Sequence, residues 1–183
     1  IAEFVGQLAE RNTLIHPEVI HFSGEKEDSD GKVVEIDVAL QWTDAFTERI
    51  FCYTNIIRNR DGGTHLSGMR GSLTRTINSY GQSRNLLKKV GKLSGDDVRE
   101  GLAAVISVKH PDPSFSSQAK DKLVTSEVQG IVESIINEKL GEYLEENPTA
   151  ARAIISKASL ASKAREAARK ARELTRRKGV LEG

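Results

Sequence analysis

Residues 102–124 read LAAVISVKHPDPSFSSQAKDKLV. The first seven form a nearly continuous apolar run, bounded by Gly101 on one side and a proline-rich stretch on the other. That pattern fits an inner strand of a sheet. Residues 111–124 hold two prolines and three serines and read as a loop. A long helical period begins after it. At the centre of the loop sit Gln118 and Lys120. A lysine and an amide between a strand and a helix have the reach and the chemistry to meet a phosphate. A solvated loop carrying an ordinary surface lysine has the same composition. These residues alone leave both readings open.

Upstream, Ile1, Phe4, Val5 and Leu8 have helical spacing, so a short amphipathic helix is expected to about Arg11. Residues 19–25 are strand-like. The charged turn GEKEDSDGK, 24–32, places Asp30-Gly31 before the next strand, a hairpin signal. Residues 33–42 alternate, with Val34, Ile36, Val38 and Leu40 on one face. Residues 49–57 alternate in turn, and the three segments read as an antiparallel meander. The stretch NRDGGTHLSG, 59–68, then makes a turn at Asp61-Gly62-Gly63, with Thr64 as candidate helix N-cap. The helix is expected from His65 to about Tyr80, with Met69, Leu73 and Ile77 on its inner side. No second histidine or carboxylate cluster accompanies His65, so it is expected to hold the turn rather than act as a base or a ligand. Ser94 to Asp97 has the S-x-x-D form of a short helix start.

Downstream, Ser126 and Gln129 have the spacing of a capping box. Val128, Ile131, Val132, Ile135, Ile136, Leu140 and Leu144 then recur at helical spacing, with glutamates on the outside. Asn147-Pro148 restarts the helix, asparagine as cap and proline at the first position. The last helix, about 149–178, carries a narrow seam of Leu160, Ala164, Ala167, Ala171 and Leu174 in heptad-like spacing. Arg165, Arg169, Arg172 and Arg176 repeat on roughly the opposite side, by the ~100° per residue of a helix. They form either a basic face for a phosphate backbone or a solvated face that supports the end of the helix dipole.

The chain has 183 residues, 38% hydrophobic and 29% charged, enough for one core with an appendage. The net charge of +1 names no partner; the distribution of charge is more informative. A single cysteine, Cys52, lies in an apolar run, excludes an internal disulfide framework and fits a reducing compartment. No stretch approaches the ~20 apolar residues of a membrane span. The start, IAEFVGQLAERN, has no methionine and no signal-peptide pattern, and reads as the middle of a longer chain. The phosphate loop G-x-x-x-x-G-K-[ST], the nucleophile elbow G-x-S-x-G, the H-E-x-x-H motif and paired cysteines are all missing. No complete catalytic constellation is visible, and no metal site is expected. A lysine lent to another domain's phosphate site is the one pointed chemical idea the residues carry.

Several stretches together resemble one family: IHPEVIHF, VALQW, NRDGGTHLSG, LTRTINSY, GDDVREGLAAVISVKHPDPSFSSQAKDKL and AREAARKARELTRRKG. They look like the B subunit of bacterial DNA gyrase, over nearly the whole chain. The DGGTH and loop motifs are similar to those of type II topoisomerases generally. The arginine-rich C-terminal tract favours gyrase over the topoisomerase IV subunit. The resemblance implies an α+β transducer domain with a mixed sheet, a left-handed βαβ crossover and a long C-terminal helix. The fold is ribosomal-protein-like and follows an ATPase domain of the GHKL class. Residues 1–11 would end that ATPase domain, 12–147 form the transducer, 148–178 the long helix towards the cleavage module, and 179–183 start a linker. ATP and magnesium would be bound by the preceding domain, and this fragment alone should be inactive.

The family's loop reads Q-T-K, and its glutamine and lysine reach the γ-phosphate of ATP. Gln118 and Lys120 match those positions, with Ala119 in place of the threonine. The resemblance therefore implies Lys120 as catalytic and Gln118 with Lys120 as ATP-contacting. It also implies a second B subunit forming a dimer gate, A subunits in an assembly of two A and two B chains, and a cytoplasmic location. Double-stranded DNA would lie in a cavity lined by Arg70, Arg75 and the stripe Arg165, Arg169, Arg172 and Arg176. A non-enzymatic nucleic-acid-binding module is the other class compatible with this fold. Such a module has no need of Gln118 and Lys120 on the exit loop of an inner strand.

Overall fold

A computed structural model describes all residues, Ile1–Gly183. Five strands and five helices follow in the order α1 (Ala2–Ala9), β1 (Ile20–Glu27), β2 (Val33–Trp42), β3 (Arg49–Thr54), β4 (Ile57–Arg58), α2 (Thr64–Ser83), α3 (Gly95–Arg99), β5 (Leu102–Lys109), α4 (Glu127–Glu146) and α5 (Pro148–Glu182). The architecture is α+β with one mixed sheet, in agreement with the resemblance.

The sheet order is β1-β2-β5-β3-β4. The expected meander is therefore wrong: β5 lies between β2 and β3, antiparallel to the first and parallel to the second. The reason is burial on both faces. Leu102, Ala104, Ile106 and Val108 face the helical core, while Ala103 and Val105 face α1. A strand apolar on both sides is most stable in the middle of a sheet. The chain between the parallel pair runs through α2, making β3–α2–β5 a crossover unit. The third strand also ends sooner than expected. Asn55 and Ile56 turn with φ of 49° and 66°, and β4 folds back on β3.

The alternation in β2 holds: Val34, Ile36, Val38 and Leu40 are buried in the main core. So are Met69, Leu73 and Ile77 of α2 and all seven expected positions of α4. Helices α2 and α4 lie unusually close, because a Cβ on Gly68 would sit 2.6 Å from Gln129 O. On the opposite face of the sheet, α1 buries Val5 and Ala9 against Ala39, Ala103 and Val105. Phe4 meets Phe51 edge to face, 5.3 Å between centroids.

Four local expectations need correction. The N-cap of α2 is Gly63, and Thr64 is already helical, with its hydroxyl unpartnered. Ser126 is the N-cap of α4 but makes no capping bond, being itself near-helical. Asn147 is the N-cap of α5 with Pro148 at its first position, as expected, but its side chain donates back to Tyr143 O and so makes no capping bond. In α5 the buried residues are Ala151, Ile154, Ile155, Ala158 and Ala161, all before the bulk of the expected seam. Leu160 and Leu174 are 64% and 58% exposed. From Lys163 on every residue of the helix is exposed, with the Arg165 side chain still tied to the body. By contrast the expected start of α3 is real: Ser94 and Asp97 exchange both bonds of a capping box.

Candidate functional site

The loop after β5 is a small folded hairpin. Phe115 and Leu123 pair across it, Ser116 N donates to Lys122 O at 3.0 Å, and Val124 N donates to Ser114 O at 2.9 Å. Its tip turns at Lys120, whose N–H donates to Ser117 O at 3.1 Å and whose φ is 59°. Gln118, Ala119 and Lys120 are exposed.

The returning strand of this hairpin is sewn to the DGG turn. Asp61 N donates to Asp121 O at 2.8 Å, Leu123 N to Gly62 O at 3.0 Å and Thr64 N to Leu123 O at 3.0 Å. Gly63 has φ of 138°, and a Cβ there would lie 2.2 Å from Leu123 O. Only glycine allows the loop to seat there. Two motifs separate in sequence are thus one unit in space.

Below the tip sits a buried polar cluster. Asn59 Nδ2 donates to Lys120 O at 2.6 Å. Asn59 Oδ1 accepts from Thr54 Oγ1 at 2.7 Å and meets His65 Nε2 at 3.0 Å. Thr54 and His65 are fully buried and Asn59 nearly so. Burial pushes the His65 pKa down to about 4, so the ring is neutral at physiological pH. His65 therefore holds Asn59 in place, a more specific role than the turn-holding one expected. Asn59 is the centre of this cluster beneath the candidate site, and the sequence does not single it out. Its only sequence signal is adjacency to the DGG turn.

The Lys120 ammonium has no carboxylate partner. It lies 5.8 Å from the centroid of the Phe115 ring. The Gln118 side chain makes no hydrogen bond to protein. Two exposed, unpaired polar groups on a backbone braced from below suit a ligand's phosphate oxygens in chemistry and in freedom. Cys52 is buried, with its thiol pushed up to about 12, and is inert.

The candidate DNA-facing arginines fall into separate environments. Arg70 Nη2 donates to Glu48 Oε1 at 2.9 Å, and Glu48 Oε2 accepts from Arg99 Nε at 2.8 Å. Arg75 makes no ion pair and lines, with Arg70, Arg99 and Lys92, a groove without apolar side chains. Lys92 and Arg99 carry no sequence signal for this role, since only the fold brings them there. On α5, Arg165 turns to α3 and pairs with Asp97 and Glu100, each at 3.4 Å. Arg169 is held within its own helix by Glu166 and Glu173, each at 2.6 Å. Arg172 and Arg176 are exposed and make no ion pair. The four-residue stripe is thus two tied arginines followed by two free ones.

Solved structures similar to this one include ATP-binding regions of topoisomerase subunits. The 43K ATPase domain of Thermus thermophilus gyrase B superposes with a TM-score of 0.83 at 40% identity, over 95% of this chain and 46% of that one. The topoisomerase IV ATP-binding domain of Francisella tularensis gives 0.73 at 25% identity, over 90% of this chain and 43% of that one. The chain belongs to the DNA gyrase B family, whose model matches residues 1–174. The DNA gyrase B subunit of Haloferax lucentense is 50% identical and that of Synechocystis sp. 51% identical, each over the whole of this chain. The chain spans only 28% and 17% of the length of those two relatives. No helix is long and apolar enough to cross a membrane.

Proposed function

We propose that this chain is the transducer of a gyrase B subunit, coupling ATP binding and hydrolysis in an adjacent GHKL domain to gate closure and DNA strand passage. The observation that carries the reading is Lys120: exposed, unpaired, and set on a left-handed turn braced by buried side chains. Gln118 and Lys120 contact the γ-phosphate of ATP. Magnesium and the carboxylate that activates water belong to the preceding domain, of which α1 is the end. The bound nucleotide would supply a terminal phosphate whose charge is spread over three equatorial oxygens as it is transferred, and a fixed ammonium beside them stabilises that charge. Ala119 lacks the threonine hydroxyl between the two contacts and leaves both groups in place.

Coupling follows from differential binding. A γ-phosphate that touches both domains favours the arrangement in which Lys120 reaches it, and its loss releases that preference. Two B subunits then close as a dimer gate, working with two A subunits on double-stranded DNA to introduce negative supercoils. Helix α5, 35 residues and so about 50 Å long, is stiff enough to carry the change of orientation away from the loop. The groove with Arg70 and Arg75, and the free Arg172 and Arg176, face the duplex through non-specific, salt-dependent contacts. The fragment alone has no nucleotide pocket and hydrolyses no ATP.

The test is Lys120→Ala in the complete subunit. ATP hydrolysis and supercoiling are expected to fall by about 10²-fold or more, the scale of losing one charge-stabilising donor. Unchanged rates would sink the role assigned to Lys120 and leave the nucleic-acid-binding module as the better reading.

A further inference from the structure

We propose that Asn59, held by His65 and Thr54, is a positioning residue that presets the left-handed turn from which Lys120 meets a nucleotide's terminal phosphate. The inference rests on the reading of Lys120 given above and extends it to residues that never touch the nucleotide.

The direction of each bond is dictated by donor chemistry. Lys120 O only accepts, so Asn59 must present Nδ2 to it, 2.6 Å away. Asn59 Oδ1, also only an acceptor, then faces Thr54 Oγ1 at 2.7 Å and His65 Nε2 at 3.0 Å. Thr54 therefore donates its hydroxyl proton, and the neutral His65 ring carries its proton on Nε2. His65 Nδ1 is left as a bare lone pair without a partner. A protonated ring would bury an N–H there with nothing to accept it, so the neutral tautomer is the one this site holds.

The bond has mechanical consequence because Lys120 is in a backbone region that L-residues disfavour, with φ of 59°. Inside its own hairpin, only the N–H to Ser117 O bond holds that turn. Asn59 is the restraint on Lys120 from outside the loop, and it stands on fully buried groups that cannot give way. Asp61 N holds the next residue through Asp121 O at 2.8 Å, so losing the Asn59 bond loosens the left-handed turn and the aim of the lysine without unseating the loop.

The test uses the complete subunit carrying Asn59→Leu, Lys120→Ala, or both. The readout is the affinity for a non-hydrolysable ATP analogue divided by that for ADP, which lacks the terminal phosphate. Lys120→Ala should lower this ratio about tenfold, and Asn59→Leu about three- to tenfold with ADP affinity unchanged. The double variant should be no worse than Lys120→Ala alone, since Asn59 acts through Lys120. Equal weakening of both nucleotides by Asn59→Leu, or a further drop in the double variant, overturns the inference. A ratio untouched by Lys120→Ala overturns the γ-phosphate reading itself. A second measurement needs no variant: the ¹⁵N shifts of His65 in the unmodified chain at neutral pH should show the neutral Nε2–H tautomer. An Nδ1–H tautomer or a charged ring would break the chain of bonds and overturn the inference directly.

Discussion

Asn59 and Lys120 are 61 positions apart, and the side-chain amide of the first donates to the main-chain carbonyl of the second at 2.6 Å. One bond therefore joins the DGG turn to the loop that carries the candidate phosphate contact. The same seam contains Gly62, Gly63 and Leu123, so the stability of the seam and the aim of Lys120 are linked.

Gly63→Ala should damage both. Its Cβ would meet Leu123 O at 2.2 Å, at a φ of 138° that an L-residue rarely adopts. A destabilisation of about 2–4 kcal/mol is expected, as for strain at a special backbone position. Thermal unfolding of this chain measures it. A melting temperature equal to that of the unaltered chain would mean that the loop does not seat on Gly63.

His65 should make stability depend on pH. Its folded pKa of about 4 lies below the ordinary 6.5, with burial as the cause. Between those values the unfolded chain binds a proton at this ring that the folded chain does not. Stability is thus fully present above pH 6.5 and declines as pH falls towards 4, by up to about 3 kcal/mol from this ring. Urea unfolding of the chain and of His65→Gln across that window isolates the contribution. The wild-type curve should be the steeper one, and equal slopes would show that His65 is not held neutral.

Asp97 should matter twice. It is the acceptor of the capping box of α3, and its other oxygen pairs with Arg165 of α5. Asp97→Ala should cost about 1–2 kcal/mol, mostly from the Ser94 N–H left without its acceptor in the capping box. Arg165→Ala, at a pair that is half open to water on the arginine side, should cost less than about 1 kcal/mol. Amide hydrogen exchange at the start of the free part of α5 should quicken in both variants. If Arg165→Ala proves the costlier change, the ranking of cap over ion pair is wrong.

The two tied and two free arginines of α5 should respond differently to charge reversal. Arg172→Glu and Arg176→Glu should each reduce the salt dependence of DNA binding by about one ion in the log–log slope. Arg169→Glu should change it less, because Glu166 and Glu173 already oppose that guanidinium. Duplex binding by the complete subunit at several salt concentrations gives the slopes. Equal slopes for all variants would place this face of α5 away from DNA.

Much of the fold is readable from local pattern. The apolar positions of α4 and the inner face of β2 follow from periods of 3.6 and 2, and the capping box at Ser94 from its spacing. Order within the sheet is not readable that way. The 49–54 and 102–109 segments each look like strands, and nothing local says that the later one enters between the earlier two. The seam on α5 fails for a related reason. Heptad spacing at Leu160 and Leu174 shows that a helix could pack there, but packing needs a neighbour, and the body of this chain ends near Ala161.

From residues alone come two motifs, NRDGGTH and the loop with Gln118 and Lys120, each with a plausible chemistry and a plausible idle alternative. Tertiary structure decided that they are one unit in space. Gly63 lets the loop approach, Asn59 clamps the Lys120 carbonyl, and buried His65 and Thr54 clamp Asn59. The sequence could supply glycine, amide and imidazole, but their pairing depends on distances across 61 residues. Those distances exist only after β5 has entered the middle of the sheet, where burial of both its faces draws the loop beside the turn.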